Sequence, residues 1–186
     1  MLKVLWKIKK CSVWQWKLFA LKIDWLDWEY AFLSKTWEFW KTIWTVSIWI
    51  DKNKKIVLIK NYRHAIDKIS WELVRWWLEK WLTVEENAIK EFKEETWIDE
   101  LPLKTIELAN LSADTWILGD MVSYVLLEFD DFSKFDVFWK KDWEYEQIYE
   151  VKLFEKEEFE KLIKDQKLYD AFTISAYGIL KANGII

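Results

Sequence analysis

The amino-acid sequence predicts an α/β fold, an α/β/α sandwich around a mixed sheet. Three observations predict it: short strand-like runs fill the N-terminal part, one well-marked amphipathic helix follows, and further strand-like runs precede two closing helices. Residues 1–44 carry only short alternating runs and are predicted to form a small antiparallel β subdomain. Residues 45–186 are predicted to form the main domain.

The strands are predicted from apolar residues that alternate with polar ones, or that form short continuous runs. The turn DKNK (51–54) separates two such runs and indicates a hairpin. The predicted strands are KLFALKID (17–24), EYAFLS (29–34), TVSIWI (45–50), KIVLIKNYR (55–63), KTIELANL (104–111), MVSYVLLEF (121–129) and IYEVKLF (148–154).

The central helix is predicted over VEENAIKEFKEET (84–96), because Thr83 and Glu86 fit a capping box at its start. Its apolar residues recur at helical spacing: Val84, Ala88, Ile89 and Phe92. Two closing helices are predicted over 156–166 and 168–183. The segment 74–82, ahead of the central helix, is predicted to be a loop.

Composition excludes several classes of protein. The net charge of −4 argues against a nucleic-acid scaffold, and no apolar run is long enough to span a bilayer. We therefore expect a cytoplasmic protein without a nucleic-acid or membrane partner. A single cysteine, Cys11, excludes an intrachain disulfide and a multi-cysteine zinc site, and a single histidine, His64, disfavours a Ser-His-Asp or Cys-His enzyme. Any enzymatic chemistry must then come from carboxylates.

The central helix carries a cluster of carboxylates. Glu91, Glu94 and Glu95 stand at i, i+3 and i+4, so they share one face of the helix. Like charges this close repel unless a cation joins them, and Mg²⁺ prefers hard oxygen ligands. By itself this spacing is also typical of a solvated helix face.

The segment 71–98 as a whole resembles the Nudix box, G-x5-E-x7-R-E-U-x-E-E-x-G-U, where U is a bulky apolar residue. Five of its nine specified positions match, and Lys90 conservatively replaces the arginine. Leu82 occupies the first glutamate position, where the family's glutamate braces the loop against the helix arginine. We expect Glu86 to pair with Lys90 at i+4 instead. The matching residues are Glu91, Phe92, Glu94, Glu95 and Ile98.

Two flanking segments resemble the ADP-ribose pyrophosphatase branch of the family. IVLIKNYRHAI (56–66) is similar to the strand before the box, and WELVRWW stands where the branch has E-L-P-A-G-G. The resemblance implies that Arg63 and Glu72 bind substrate. It also implies that Arg75 lends its backbone carbonyl to a metal ion.

The likeness continues toward the C-terminus, through the acidic segment 142–154 and the closing helix 170–181. It implies that Glu144 is the base that activates water and that Glu146 is a further metal ligand. Glu91 and Glu95 would be the direct helix ligands, with Glu94 in a supporting catalytic role. The N-terminal subdomain would pair two subunits, so a homodimer is expected.

The activity implied is hydrolysis of a pyrophosphate bond with Mg²⁺, or Mn²⁺, as cofactor. The expected substrate is a nucleotide sugar, with ADP-ribose yielding AMP and ribose 5-phosphate. Two alternatives stay open. One is hydrolysis of another nucleotide: a nucleoside triphosphate, a dinucleotide or a GDP-sugar. The other is a non-catalytic Nudix-like binding module, which Leu82 and the altered loop would favour.

The tryptophan content is anomalous: the chain has 17 Trp and only 3 Gly, whereas average usage would give roughly 13 Gly. Trp76 and Trp97 occupy the two glycine positions of the box, and Trp77 and Trp81 also stand where turns favour glycine. One interpretation is a Trp-rich protein with unusual loops. The other is that these codons are UGA, which some bacterial lineages read as glycine.

Overall fold

The computed structural model describes residues 2–8, 17–23, 29–34, 41–96, 99–132, 141–142 and 147–186. The chain forms two compact units. The smaller comprises Met1–Ile43 and Asn110–Val122, and the larger comprises Trp44–Ala109 and Ser123–Ile186.

The smaller unit contains a three-stranded antiparallel sheet in the order β1-β2-β3. Its strands are β1 (Leu2–Ile8), β2 (Lys17–Ile23) and β3 (Glu29–Ser34). At the end of β3, the buried Ser34 hydroxyl donates a 2.5 Å hydrogen bond to Asp120. This bond ties the chain near residue 34 to the second segment of the same unit.

The second sheet has eight strands. Six follow the order β10-β11-β5-β4-β9-β8, while β6 pairs with β5 and β7 pairs with β4. The strands are β4 (Thr42–Asp51), β5 (Ile56–Arg63), β6 (Lys68–Glu72), β7 (Val74–Trp77), β8 (Lys104–Ser112), β9 (Met121–Phe129), β10 (Lys141–Asp142) and β11 (Gln147–Phe154).

Strands β4 and β5 pair with each other next to the turn that joins them and then diverge. They pair at Ile50 and Ile56, beyond which β5 pairs with β6 and β4 pairs with β7. Only Leu73 separates β6 from β7, so the chain passes from one branch of the sheet to the other within one residue. The prediction of a loop over 74–82 was therefore wrong for 74–77, because those residues gain a ladder with Thr45 and its neighbours. Pairing with a distant strand cannot be read from local sequence.

Three helices complete the fold: α1 (Val84–Thr96), α2 (Lys156–Lys164) and α3 (Ala171–Ala182). The bounds of α1 agree with the prediction, and α2 and α3 lie within their predicted ranges. Within the described part of the chain, no helix is long and apolar enough to cross a membrane.

Helices α1 and α3 pack on opposite faces of the large sheet. Phe92 of α1 lies in one core cluster with Val74 of β7 and Val125 of β9. The preceding residue on β9, Tyr124, instead contacts Ser175 of α3. Successive side chains on a strand point to opposite faces. The large unit is therefore a sheet with helices on both sides, as the sequence predicted.

Candidate active site

Helix α1 begins with the predicted capping box. The Thr83 backbone N–H donates to the Glu86 carboxylate at 2.8 Å, and the Glu86 N–H donates to the Thr83 hydroxyl at 3.1 Å. Two of the backbone donors left over at a helix start are satisfied in this way. The capping box therefore fixes where α1 begins. The start of the helix in turn determines the face on which each glutamate lies.

The three glutamates of the predicted cluster differ sharply in exposure. Glu91 is buried, with 2% of its surface exposed, and Glu95 is half-buried. Glu94 is exposed, and its carboxylate accepts a 2.7 Å hydrogen bond from the Lys90 ammonium. Helical spacing places Glu91 and Glu95 one turn apart on the same face. Of the three, Glu94 lies farthest toward solvent.

Burial has a clear electrostatic effect on Glu91. Loss of hydration raises the pKa of this carboxyl to about 7, the nearby Lys90 charge opposes the rise, and Glu94 and Glu95 add to it. Burial and the neighbouring carboxylates therefore both disfavour the charged form of Glu91. A bound cation would stabilise the ionised form of a buried carboxyl that has two further carboxylates nearby.

Lys90 has a different partner from the one predicted. Its ammonium lies 3.2 Å from the Glu79 carboxylate, 2.7 Å from Glu94 and 3.5 Å from Glu91. The predicted pair of Glu86 with Lys90 was wrong, because the Glu86 carboxylate is bound to the Thr83 backbone in the capping box. Glu79 precedes the helix, so Lys90 joins α1 to the turn before it.

A second contact holds the same turn. The Glu79 backbone N–H donates to the Asn87 side-chain carbonyl at 3.2 Å, and Asn87 is fully buried. The turn is therefore braced against the helix although Leu82 occupies the first glutamate position of the box that this segment resembles. Sequence reasoning missed Glu79. The sequence did contain a signal for it: Glu79 is acidic, lies three positions before Leu82, and precedes the helix that carries Lys90.

Strand β7 lies beside this helix. It contacts α1 directly, and its residue Val74 shares the core cluster of Ala88 and Phe92. Arg75, whose backbone carbonyl is a predicted metal ligand, is therefore on a strand next to the glutamate-bearing helix. Its side chain goes elsewhere: the guanidinium lies 3.0 Å from the Asp170 carboxylate and 4.3 Å from the centre of the Phe172 ring.

The two predicted substrate-binding residues contact each other. Nε and Nη2 of Arg63 donate to the same Glu72 oxygen at 2.8 and 2.5 Å. The Glu72 side chain is 3% exposed, while that of Arg63 is 31% exposed. Burial raises the pKa of Glu72, and the Arg63 charge opposes this rise. Glu72 thus orients Arg63, whose guanidinium keeps a face toward solvent.

Two predicted residues, Glu144 and Glu146, lie outside the described residues, as does Trp97. Their roles stay predictions. The strands β10 and β11, on either side of 143–146, pair with each other, and β11 also pairs with β5.

The other three tryptophans of the box region lie among the described residues. Trp76 and Trp77 lie in β7, where Trp77 stacks on Trp44 with ring centroids 3.5 Å apart. Trp81 is 77% exposed. Among the described residues, the non-glycine positions with positive φ are Lys54, Asp67 and Gln166. None of the three tryptophans therefore needs the backbone freedom of glycine in this conformation. At these three positions the glycine hypothesis depends instead on how closely the backbone must approach a substrate.

The described donors fit a hard cation of a particular kind. Among these residues no three Asp, Glu, His or Cys side chains are grouped to hold an ion by themselves. Two helix carboxylates and a strand carbonyl are instead the partial protein set typical of Mg²⁺, which keeps waters and takes oxygens from substrate phosphates. A closed zinc or calcium cage would need more side-chain ligands than this face offers.

Comparisons with known proteins bear on the fold. No family model matches the chain, and no curated protein matches its sequence. A solved structure described as "Crystal structure of ADP compounds hydrolase" is similar over 100% of this chain and 97% of its own, with a TM-score of 0.68 and 13% sequence identity. At this identity the likeness establishes the fold alone, and it confirms the predicted fold class, an α/β/α sandwich around a mixed sheet.

Proposed function

We propose that this protein is a Mg²⁺-dependent pyrophosphatase that hydrolyses a nucleoside diphosphate linked to a further moiety, with ADP-ribose as the preferred substrate. The observation that carries the proposal is the buried Glu91, one helical turn from Glu95, on a helix next to β7. Lys90 offsets part of the charge of this carboxylate cluster. A divalent ion would offset the rest, together with the charge of a diphosphate substrate.

The fold neighbour adds independent support for the substrate class. That protein is described as a hydrolase of ADP compounds, and the likeness covers nearly the whole of both chains. The pair of Arg63 with Glu72 adds a donor of the type that binds phosphate or ribose oxygens, since a guanidinium held by a buried carboxylate is oriented before substrate arrives.

The proposed ligands of the ion are the Glu91 and Glu95 carboxylates and the Arg75 carbonyl, with Glu146 as a further ligand. When bound there, Mg²⁺ would offset the charge of the diphosphate and lower the pKa of a bound water. Glu144 would take the proton of the attacking water, while Glu94 supports the helix ligands. The water oxygen bonds to one phosphorus, the P–O–P bridge breaks, and ADP-ribose gives AMP and ribose 5-phosphate.

A substrate panel tests this proposal. Purified protein is assayed with and without Mg²⁺ or Mn²⁺ on ADP-ribose, a GDP-sugar, a dinucleotide and a nucleoside triphosphate, with products separated by chromatography. We expect metal-dependent formation of AMP and ribose 5-phosphate, with the highest kcat/KM for ADP-ribose. A preference for the triphosphate or dinucleotide would overturn the substrate class. Absence of hydrolysis on all four would overturn the enzymatic function.

The matched control for this assay is Glu86→Gln. Glu86 lies on the same helix and is acidic, but its carboxylate is used in the capping box. This variant should lose a small part of the helix stability, about 1 kcal/mol, and retain hydrolysis. The comparison separates the effect of removing any helix carboxylate from the effect of removing a proposed ligand.

A further inference from the structure

The single residue between β6 and β7 depends on the C-terminal helix for its backbone hydrogen bond. Leu73 is buried, and its N–H donates to the Thr173 hydroxyl of α3 at 2.9 Å. A buried N–H without a partner is strongly unfavourable. Thr173, itself fully buried, supplies that partner from a residue 100 positions away.

The Thr173 hydroxyl is oriented by Asp170. Both the backbone N–H and the hydroxyl of Thr173 donate to one oxygen of the Asp170 carboxylate, at 3.0 and 2.7 Å. A hydroxyl has one donor and two acceptor lone pairs, so once its proton points to Asp170 its lone pairs can receive the Leu73 N–H. Asp170 thereby determines which way the threonine faces.

The other oxygen of the Asp170 carboxylate contacts Arg75. It accepts a 3.0 Å hydrogen bond from the Arg75 guanidinium, which also packs over the Phe172 ring. The backbone at Leu73 and the side chain at Arg75 are therefore both bound to the first turn of α3. The Arg75 carbonyl belongs to the next peptide unit along β7, so it directly follows the segment that α3 holds.

We infer that Asp170 and Thr173 form a clamp that positions the 73–75 backbone, and with it the carbonyl proposed as a metal ligand. This inference rests on the proposed function for its consequence, although the clamp contacts are independent of it. Asp170 and Thr173 are positioning residues, because they act on the site through Leu73 and Arg75. Residues that orient metal ligands in this way affect metal affinity by about 10- to 100-fold.

The test uses three variants of the full chain. Thr173→Val keeps the side-chain shape and removes the hydroxyl, Thr173→Ser keeps the hydroxyl, and Asp170→Asn removes the charged acceptor for Arg75. Leu180→Ala on the same helix is the matched control, since Leu180 is buried in α3 and is separate from the clamp contacts described here. Each protein is measured for Mn²⁺ affinity by calorimetry without substrate, and for hydrogen exchange at the Leu73 amide.

Thr173→Val should exchange the Leu73 amide at least about tenfold faster than wild type and bind Mn²⁺ about tenfold more weakly. Thr173→Ser should restore both values, and Leu180→Ala should leave Mn²⁺ affinity unchanged at temperatures where it is folded. If Thr173→Val does not fold, Asp170→Asn is expected to show the same weakening of Mn²⁺ binding.

Three outcomes contradict either the clamp inference or the proposed function. If wild type binds Mn²⁺ and the folded clamp variants bind it equally well, the clamp inference is overturned while the proposed function stands. If wild type binds no Mn²⁺, the proposed metal site fails, and the inferred role of the clamp fails with it. Equal weakening by Leu180→Ala and Thr173→Val would reduce the clamp to a general stabilising contact and would also overturn the inference.

Discussion

Lys90 and Glu79 form an ion pair in which the ammonium and a carboxylate oxygen are 3.2 Å apart. The pair joins α1 to the turn that precedes it, next to a hydrogen bond from the Glu79 N–H to Asn87. The same lysine also lies 3.5 Å from the buried Glu91. One cation therefore holds the turn and partly offsets the charge of a proposed metal ligand.

Glu79→Gln should loosen the turn without unfolding the protein. We expect kcat/KM for ADP-ribose to fall about tenfold, while the free energy of unfolding changes by less than about 1 kcal/mol because the pair is partly exposed. Steady-state kinetics and chemical denaturation measure the two quantities. The comparison variant is Leu82→Glu, which places a glutamate where the box that this segment resembles has one. Because Glu79 already braces Lys90, this variant should gain less than about twofold in activity, and a large gain would show that Glu79 does not perform the bracing.

The buried carboxyl of Glu91 predicts a pH dependence of stability in the metal-free protein. Its pKa is raised in the folded state to about 7, above the ordinary value of 4.5. Between these two values the folded state binds more protons than the unfolded state, so stability falls as pH rises from about 4.5 to about 7. The loss reaches at most about 3 kcal/mol.

Denaturation in a metal chelator across this pH range measures the effect, with NMR titration of the Glu91 carboxyl as the direct check. Glu91→Gln should flatten the stability profile, because glutamine does not titrate. At pH 7, addition of Mg²⁺ should stabilise the wild-type protein but not the Glu91→Gln variant. A pKa near 4.5 for Glu91 in the metal-free protein would show that the carboxyl is hydrated.

The pair of Arg63 and Glu72 predicts an effect on substrate binding. Arg63→Lys removes the planar fork of donors but keeps the charge, so the KM for ADP-ribose should rise at least about tenfold with a smaller change in kcat. The matched control is Lys60→Arg, on the same strand, whose ammonium pairs with Glu150. A fall in kcat alone would indicate that Arg63 acts in the chemical step instead.

The tryptophans fall into groups with opposite predictions. Trp81 is 77% exposed, so Trp81→Gly should change stability by less than about 0.5 kcal/mol. Trp49 is 1% exposed and packs edge-on against Phe92, so Trp49→Gly should cost about 3–5 kcal/mol. Thermal and chemical denaturation of both variants, beside the unmodified chain, measures the two changes in stability.

The glycine hypothesis has its own test in the coding DNA. It predicts UGA codons at positions 76, 77, 81 and 97, and higher activity when all four carry glycine, because glycine permits close approach of backbone to phosphate. Trp77 stacks on Trp44, and the glycine variant would lose this contact. A loss of stability in that variant without a gain in activity would therefore count against the hypothesis. UGG codons at these positions would end the hypothesis.

Much of the fold was predictable because its signals are local. The capping pair Thr83–Glu86 and the apolar spacing of Ala88 and Phe92 identify α1 within a few residues, and the structure confirms both. The short run 29–34 and the mostly apolar run 121–129 identify strands in the same way. These features need no knowledge of distant parts of the chain.

The rest depends on contacts between distant residues. Strand β7 exists because it pairs with β4, about 30 positions earlier, and the Leu73 amide is satisfied by a threonine 100 positions later. The pairing of Arg63 with Glu72 follows from the β5–β6 hairpin, which the sequence did not indicate. The helix carboxylates were predicted from spacing and resemblance, but their unequal burial was not, since it depends on what packs over the helix.

The measurement that tests the central claim most directly is hydrolysis of ADP-ribose by Glu95→Gln at saturating Mg²⁺, beside wild type. Removing one charge from the shared helix face should lower turnover at least about 100-fold, while circular dichroism and the unfolding transition stay close to those of wild type. Turnover within about twofold of wild type would contradict the assignment of Glu91 and Glu95 as ligands of a common divalent ion.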